Sequence, residues 1–351
     1  MTTDYISVSL SDIELRIHIF GFSPMGECVL VLIYNKAKSI VIRSILFDCF
    51  ENSKSKQLTL CLDDYKLDKR KLDFVIWTHP DTDHSVGLKD IIERYTSKET
   101  IFILPDGMSI WWFLKRIFHN RSLNVSSMKE IIKPWIMLKR LSKKGYSVER
   151  VNVSNNRSLT TYCNFDLIEL DTQIHCNLEI VTPFASDVFR KTEANTTTKG
   201  NDISISAILH IDEYGFYFGG DAENEALSKI DKNRFSNLKF VKIPHHASMS
   251  SSKLPDIIQE VINDNIVDVD GYGDFYSPDL IAVTTCFYKG RSKLPQYKVL
   301  ESYKKCASKI VITEDKTHNN LGYGISQSFF KLYPFQLIES KEIADASVFQ
   351  V

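Results

Sequence analysis

The sequence predicts an α+β fold in which two strand-rich halves, each with helices, form a layered sandwich. Short runs rich in β-branched and aromatic residues dominate the first hundred residues, among them CVLVLIY and SILFDCF. A second series of such runs starts near residue 165 and is interrupted by helical patterns such as ENEALSKI. Because each half must cover its apolar face, we expect the two to pack together in one domain spanning residues 1–351.

Composition excludes several classes of protein. The 351 residues carry a formal net charge of -1 and seven cysteines. The cysteines are scattered, odd in number and without a CxxC pair, so neither a disulfide framework nor a thiolate zinc site is expected. The first residues lack a basic region followed by an apolar one, and no apolar run approaches the ~18 residues that span a bilayer. We therefore expect a soluble, cytoplasmic protein without a membrane partner.

Residues 105–162 differ from both halves, and we predict a basic, aromatic-rich helical insertion there. Between residues 107 and 157, eleven lysines and arginines accompany two glutamates and several aromatic residues. This mixture suits the phosphates and stacked bases of nucleic acid. The alternative is a small aromatic core with lysines on its outer face, in a segment that packs or docks a partner. The nucleic-acid interpretation assigns substrate binding to Lys139, Arg140, Lys143 and Lys144.

The densest group of chemically functional residues follows a predicted strand, in the stretch DFVIWTHPDTDHSVGL at residues 73–88. Imidazole and carboxylate side chains bind divalent cations without thiolates, and a tight turn after a buried strand can direct several of them into one cavity. The structural alternative is that one aspartate caps a helix beginning near Ser85. The density of ligands favours a metal site that contains His79, Asp81, Asp83 and His84.

These residues resemble the HxHxDH signature of the metallo-β-lactamase superfamily, with Asp81 where the second histidine usually lies. The variant is similar to the hydrolase domain of ComEC-type DNA-uptake proteins and their free-standing soluble relatives. Two later stretches match in the same order. NDISISAILHIDEYGFYFGGDAE resembles an Asn-x-x-Ser strand followed by a Gly-Asp-Ala turn, and LKFVKIPHHAS resembles a Pro-His-His-Gly-Ser segment. The resemblance implies a four-layer αββα sandwich and leaves residues 107–160 outside it.

The resemblance also implies a site for two divalent metal ions. His79 and Asp81 would hold one ion, Asp83 and His84 the other, and Asp221 of GGDAE would bridge them beside a shared water. Two cations ~3.5 to 4 Å apart can stabilise both the attacking and the leaving oxygen of a phosphoryl displacement. The hard oxygen ligand Asp81 favours manganese or magnesium, and zinc is the other candidate.

Further residues are placed near the site by the same resemblance. Asp48 would lie beside the metals, and His245 and His246 would lie at the cavity mouth, where one could ligate a metal or protonate the leaving oxygen. Because neighbouring residues of an extended segment face opposite sides, we expect one of these histidines to point away. The predicted catalytic residues are Asp83, His245 and His246.

Two positions depart from the family pattern. Relatives commonly carry histidine where this chain has Thr182 and Leu294, which predicts an incomplete ligand set. His175 or His318 could fill the gap, although each has the character of a surface histidine.

Three functions fit these features. The first is a metal-dependent nuclease or phosphodiesterase acting on DNA, favoured because an acid-rich ligand cluster and a basic, aromatic segment would be needed together. The second is a hydrolase of a small ester, lactone or cyclic nucleotide, since a fold does not fix the substrate. The third is a weakly active scaffold whose insertion docks a protein partner. We predict the first.

Overall fold

The structure, a computed structural model, describes most of the chain. It covers residues 4–22, 25–52, 56–109, 113, 125–153, 161–188, 200–266, 279–288, 293–313, 323–344 and 346–349.

The strands of the described residues fall in two groups along the chain. The first group is β1 (Asp4–Ser7), β2 (Ile13–Phe22), β3 (Glu27–Asn35), β4 (Ile40–Phe47), β5 (Phe74–Ile76), β6 (Ile101–Pro105) and β7 (Ser147–Val151). The second group is β8 (Thr161–Glu169), β9 (Thr172–Thr182), β10 (Ser206–Ile211), β11 (Tyr214–Phe218), β12 (Leu238–Lys242), β13 (Ile281–Thr284), β14 (Lys309–Ile312), β15 (Tyr323–Leu332), β16 (Phe335–Ala344) and β17 (Ser347–Phe349).

Helices connect many of these strands. The α-helices are α1 (Gln57–Asp64), α2 (Leu67–Arg70), α3 (Leu88–Tyr95), α4 (Val125–Lys143), α5 (Asn224–Leu227), α6 (Leu254–Ile266) and α7 (Tyr297–Tyr303). Short 3-10 helices span Leu10–Asp12, Thr82–His84, Gly200–Ile203, Lys232–Phe235, Pro244–Ala247 and Met249–Ser251. Within the described ranges, none of the helices has both the length and the apolar character needed to cross a membrane.

The strands form two mixed sheets. One has nine strands in the order β1-β8-β9-β10-β11-β12-β13-β14-β17, and the other has eight in the order β16-β15-β2-β3-β4-β5-β6-β7. Each sheet joins an antiparallel part to a parallel part. The parallel strands are β4 to β7 in the eight-stranded sheet and β11 to β14 in the nine-stranded sheet, in addition to the β1–β8 pair.

The two sheets pack face to face through apolar side chains. Strand β3 shows how this follows from the sequence: Val29 and Val31 belong to the core between the sheets, whereas Leu30 and Leu32 face helices α1, α3 and α4 on the other side. Alternate residues of a strand point to opposite faces, so a continuous apolar run predicts a sheet covered on both sides. Helices α6 and α7 pack on the nine-stranded sheet. The predicted α+β sandwich agrees with this layering.

Residues 105–162 are not helical throughout. Helix α4 is followed by strand β7, which pairs in parallel with β6 and extends the eight-stranded sheet. The buried residues of α4 recur at helical spacing, at Met128, Ile131, Trp135 and Leu138. Phe113 packs edge-on against Trp135, with 5.2 Å between ring centroids. These two aromatic rings therefore serve as core, while Trp111, Trp112 and Phe118 lie outside the described residues.

The stack between Phe47 of β4 and Phe218 of β11 supports the contact between the sheets. Their ring centroids lie 4.8 Å apart and both side chains are buried. We expect Phe218→Ala to lower the free energy of unfolding by ~3 to 5 kcal/mol, because it leaves a cavity between the sheets. Denaturant titration measures this loss. The control Leu170→Ala, at a residue 94% exposed, should change stability by less than ~0.5 kcal/mol. Equal effects of the two substitutions would contradict this packing.

Candidate metal centre

A cluster of histidines and carboxylates lies where parallel strands of both sheets end. Asp48 directly follows β4, and His79 lies three residues beyond β5. From the nine-stranded sheet, Asp221 lies three residues beyond β11, and the segment with His245 and His246 follows β12. The carboxyl ends of parallel strands share one edge of a sheet, which is why segments distant in sequence meet here.

The turn after β5 is held closed by hydrogen bonds. The indole of buried Trp77 donates to Ser85 Oγ at 3.1 Å, and that hydroxyl donates to the carbonyl oxygen of Asp81 at 2.5 Å. The turn contains the 3-10 helix Thr82–His84. Helix α3 begins only at Leu88, with Gly87 at its N-cap, so neither aspartate of the turn caps it. The structural alternative for these carboxylates is therefore wrong.

One set of four side chains converges closely. Donor atoms of Asp83, His84, Asp221 and His246 all lie within 4.8 Å of one another, and all four residues are buried. His84 Nε2 lies 3.6 Å from Asp83 Oδ2 and 3.4 Å from Asp221 Oδ1. His246 Nε2 lies 3.3 Å from Asp83 Oδ2. A metal ion could be held by two nitrogens and two carboxylate groups here.

A second set lies on the other side of Asp221. His79 Nε2 is 3.6 Å from Asp221 Oδ2 and 3.9 Å from Asp81 Oδ2. Asp221 thus directs one oxygen to His84 and the other to His79. Gly200 makes room for this second set, because a Cβ at that position would lie 2.3 Å from Asp81 Oδ1. The structure brings together every metal ligand predicted from the sequence.

Hydrogen bonds behind the rings set the tautomers of His84 and His79. The Asp48 carboxylate accepts from His84 Nδ1 at 2.7 Å and from Thr78 Oγ1 at 2.6 Å. Since Thr78 gives its single hydroxyl proton to Asp48, it can only accept from His79 Nδ1, which lies 3.0 Å away. Both rings therefore carry a proton on Nδ1 and direct Nε2 into the cluster.

The same reasoning applies to His246. Thr285 Oγ1 donates to Glu27 Oε2, so it must accept the hydrogen bond from His246 Nδ1, 2.8 Å away. His246 Nε2 is left facing Asp83 Oδ2, 3.3 Å away. Three imidazole Nε2 atoms thus point at carboxylate oxygens, and each contact is favourable only when a proton or a cation lies between the two atoms.

Several of these atoms have no other way to be satisfied. His79 Nε2, His84 Nε2 and Asp221 Oδ1 are buried and find no hydrogen-bond partner among the described residues. Leaving a buried polar atom unpaired costs about 1 to 3 kcal/mol. A divalent cation would satisfy all three through direct coordination, so the residues present fit a metal ion.

The electrostatics of the cluster agree with a cation site. Burial acts to lower the pKa of His84, but the carboxylates of Asp221, Asp48 and Asp83 raise the pKa well above its usual range. For Asp221, burial acts to raise the pKa, yet His245, His84 and His79 hold the pKa of this carboxyl well below its ordinary value. The site therefore stabilises positive charge at its centre.

His245 and His246 both face the cluster, so the expectation that one points away is wrong. His245 Nε2 lies 3.9 Å from Asp221 Oδ2, and its side chain is 20% exposed. The backbone explains the difference. The φ angles of His245, His246 and Ala247 are 48°, 50° and 56°, all in the left-handed region, and alternation holds only for extended chain.

The positions that depart from the family pattern have other roles. Thr182 is buried, donates to the carbonyl oxygen of Ser204 at 2.8 Å and accepts from Ser206 N at 2.7 Å. Ser204 in turn contacts His79 Nδ1 at 3.4 Å and receives a hydrogen bond from Asp221 N at 2.9 Å. Leu294 is an apolar residue paired with Phe287. The structure gives neither position a ligand role.

The two substitute histidines do not complete the site. His175 is nearly half exposed and its Nδ1 lies 2.6 Å from Asp166 Oδ1, outside the cluster. His318 lies outside the described residues. His246 is instead the third histidine of the cluster.

Sequence reasoning missed several supporting residues. Glu27 and Lys242 are buried charged residues that contact each other beneath the histidines, and Thr285 links Glu27 to His246. Their only signal in the sequence is a charge at the edge of an apolar strand, in GECVLVLI and LKFVKIP. Asn201 Nδ2 lies 3.1 Å from His245 Nε2, so this residue supports the mouth of the site.

The predicted phosphate-binding residues lie away from the cluster. Strand β7 begins at Ser147, which pairs with Ile101 at the amino end of β6. The cluster instead lies at the carboxyl ends of the parallel strands. Strand β7, ~16 Å long at ~3.3 Å per residue, runs from Ser147 towards the edge with the cluster. The structure therefore does not bring together the metal ligands and the exposed side chains of Lys139, Arg140, Lys143 and Lys144.

A comparison of the chain with models of known protein families found no match, and a search among curated proteins found no relative.

We expect the purified chain to bind divalent cations through this cluster. His84→Ala should reduce the affinity for manganese and zinc by more than the ~100-fold that follows loss of a supporting partner, because it removes a ligand nitrogen. Calorimetric titration and elemental analysis measure the binding. The matched control His175→Ala removes a histidine outside the cluster and should bind as the parent does. Absence of binding by the parent, or equal binding by both variants, would contradict a metal centre here.

Proposed function

We propose that this protein is a metal-dependent hydrolase of the metallo-β-lactamase superfamily that cleaves phosphodiester bonds of DNA. The observation that carries the proposal is the position of Asp221, which directs one oxygen to His84 and the other to His79. A carboxylate shared in this way suits two cations held side by side. The two mixed sheets, with helices on their outer faces and the ligands at the strand ends, are compatible with the αββα architecture of this superfamily.

The ligand set indicates the metal chemistry. Asp83, His84, Asp221 and His246 would hold one cation, and His79, Asp81 and Asp221 would hold the other. Three carboxylates beside three imidazoles favour manganese or zinc, with magnesium as a further candidate, because hard oxygen ligands accept all of them. When bound, the cations would supply an activated water and neutralise charge on the phosphoryl oxygens.

The protein's own residues would orient the substrate and move protons. His245 is the histidine at the exposed mouth, and its Nδ1 lies 2.9 Å from Ser250 Oγ and 3.5 Å from Glu223 Oε1. In its imidazolium form it can donate a proton to the leaving oxygen while these two groups hold the ring. Asp83 is buried between His84 and His246, so its carboxylate would bind the same cation as these two histidines.

A small-molecule hydrolase is the second candidate, favoured by the distance between the basic residues and the cluster. A small ester or cyclic nucleotide at the metals would not reach Lys139 or Lys144. A DNA strand could, since it extends far beyond the metal site along the protein surface. The two functions therefore differ in whether the basic end of α4 affects activity.

Metal-dependent cleavage of DNA tests the proposed activity. We expect Asp83→Ala to lower the cleavage rate more than ~100-fold, because it removes a carboxylate ligand, which costs more than the loss of a supporting partner. Asp90→Ala, on the exposed face of α3, is the matched control and should cleave at the parent rate. Rates are compared with manganese, zinc or magnesium added, and circular dichroism checks that both variants are folded. A folded Asp83→Ala protein that cuts DNA as fast as the parent would show that this cluster is not the active site.

Salt dependence separates the two candidate substrates. Replacing Lys139, Arg140, Lys143 and Lys144 by glutamate should weaken DNA binding, and each lost phosphate contact should reduce the slope of log K against log salt by ~0.7 to 0.9. Hydrolysis of a small phosphodiester should stay unchanged. The control replaces Lys298, Lys304 and Lys305, in or directly after α7 on the opposite sheet, and should leave the slope as it is. An unchanged slope in the α4 variant would favour the small-molecule hydrolase.

A further inference from the structure

A buried ion pair joins the two sheets directly beneath the metal cluster. Lys242, at the end of β12, donates to Glu27 Oε1 at the start of β3, and both side chains are at least 97% buried. Removing two charges from water costs several kcal/mol per ion, and an aliphatic pair of similar size is often as stable. Packing alone therefore gives no reason for charges at this position.

Glu27 contacts two of the three histidines of the cluster. Its Oε1 lies 3.8 Å from His84 Nδ1, and its Oε2 lies 3.4 Å from His246 Nδ1. His84 and His246 are the nitrogen ligands of the four-residue set. His79, on the other side of Asp221, contacts Asp81, Asp221, Thr78 and Ser204 instead. The ion pair therefore acts on one of the two sets.

The side chains around Glu27 could themselves be mistaken for a cation site. Donor atoms of Glu27, Asp48 and His84 lie within 4.8 Å of one another. The Lys242 ammonium already contacts the Glu27 carboxylate, however, and Thr285 Oγ1 donates to its other oxygen. The positive charge that this group of carboxylates needs is thus supplied by the protein itself.

The direction of the hydrogen bonds follows from this pair. Glu27 can only accept, so Thr285 must donate to it and must accept from His246 Nδ1. Lys242 compensates the charge of Glu27, which leaves His84 Nδ1 bonded to Asp48 at 2.7 Å rather than to Glu27 at 3.8 Å. The ligand nitrogens of both rings then face the cluster.

We propose that Glu27 and Lys242 are positioning residues that hold His246 in the tautomer able to bind metal and keep His84 bonded to Asp48. The proposal rests on the metal-binding function proposed above for the same cluster. It assigns the pair a role in metal affinity at the Asp83, His84, Asp221 and His246 set.

Glu27→Gln tests this role through the direction of one hydrogen-bond chain. With Lys242 present, the amide oxygen of the new side chain must face the ammonium, so its NH₂ group donates to Thr285 Oγ1. Thr285 then donates to His246 Nδ1, and the ring proton moves to Nε2, where it blocks the ligand atom. We expect metal affinity at this set to fall by ~10 to 100-fold.

The double variant Glu27→Gln, Lys242→Met is the rescue control. Without the ammonium, the amide can turn its oxygen towards Thr285, which restores the original direction of the chain. We expect metal affinity to return to within about tenfold of the parent's, the lower bound of the loss caused by removing a supporting partner. If the pair were purely structural, the double variant would instead bind metal more weakly than Glu27→Gln.

Two measurements decide the outcome. Nitrogen-15 NMR of the metal-free protein reports whether Nδ1 or Nε2 of His246 carries the proton. Titration with zinc or manganese reports affinity. A shift of the proton to Nε2 in Glu27→Gln, reversed in the double variant, supports the proposal. An unchanged tautomer, or equal loss of affinity in both variants, overturns it. Because the NMR measurement needs no bound metal, a shifted tautomer in a chain that binds no metal would count against the metal site and not against the hydrogen-bond chain.

Discussion

The carboxylate of Asp48 is the group on which the geometry of the cluster depends. It lies directly after β4 with a φ of 58° and accepts hydrogen bonds from the backbone and side chain of Thr78 and from His84. These bonds join the end of β4, the end of β5 and the 3-10 helix that carries Asp83. They also set the tautomer of His84 directly and that of His79 through Thr78. One buried carboxylate thereby orients the Nε2 atoms of two histidines on neighbouring segments.

Part of this site could be read from the sequence because the information is local. His79, Asp81, Asp83 and His84 lie within six positions after an apolar strand, and their types alone indicate a cation site. The alternation of apolar residues similarly predicts the strands. Glu27 and Lys242 could not be found in this way, because 215 positions separate them and their contact exists only once the sheets pack.

Two sequence-based expectations depended on a backbone or topology that the chain does not have. The alternation rule for His245 and His246 assumes extended residues, whereas both lie in the left-handed region. The charge of residues 107–157 indicates a basic surface but not its distance from the ligands. That distance follows from the parallel crossover between β6 and β7, which carries the end of α4 to the opposite edge of the sheet.

The origin of the ligands has a mechanical consequence. His79, Asp83 and His84 come from the eight-stranded sheet, and Asp221 and His246 from the nine-stranded sheet. A cation held between them would join the two sheets at this end of the sandwich, next to the Glu27–Lys242 ion pair. By thermodynamic linkage, whatever spreads the two sheets would loosen the cation, and the bound cation would resist that spreading by the same free energy. The affinity for the cation and the stability of the contact between the two sheets would then rise and fall together.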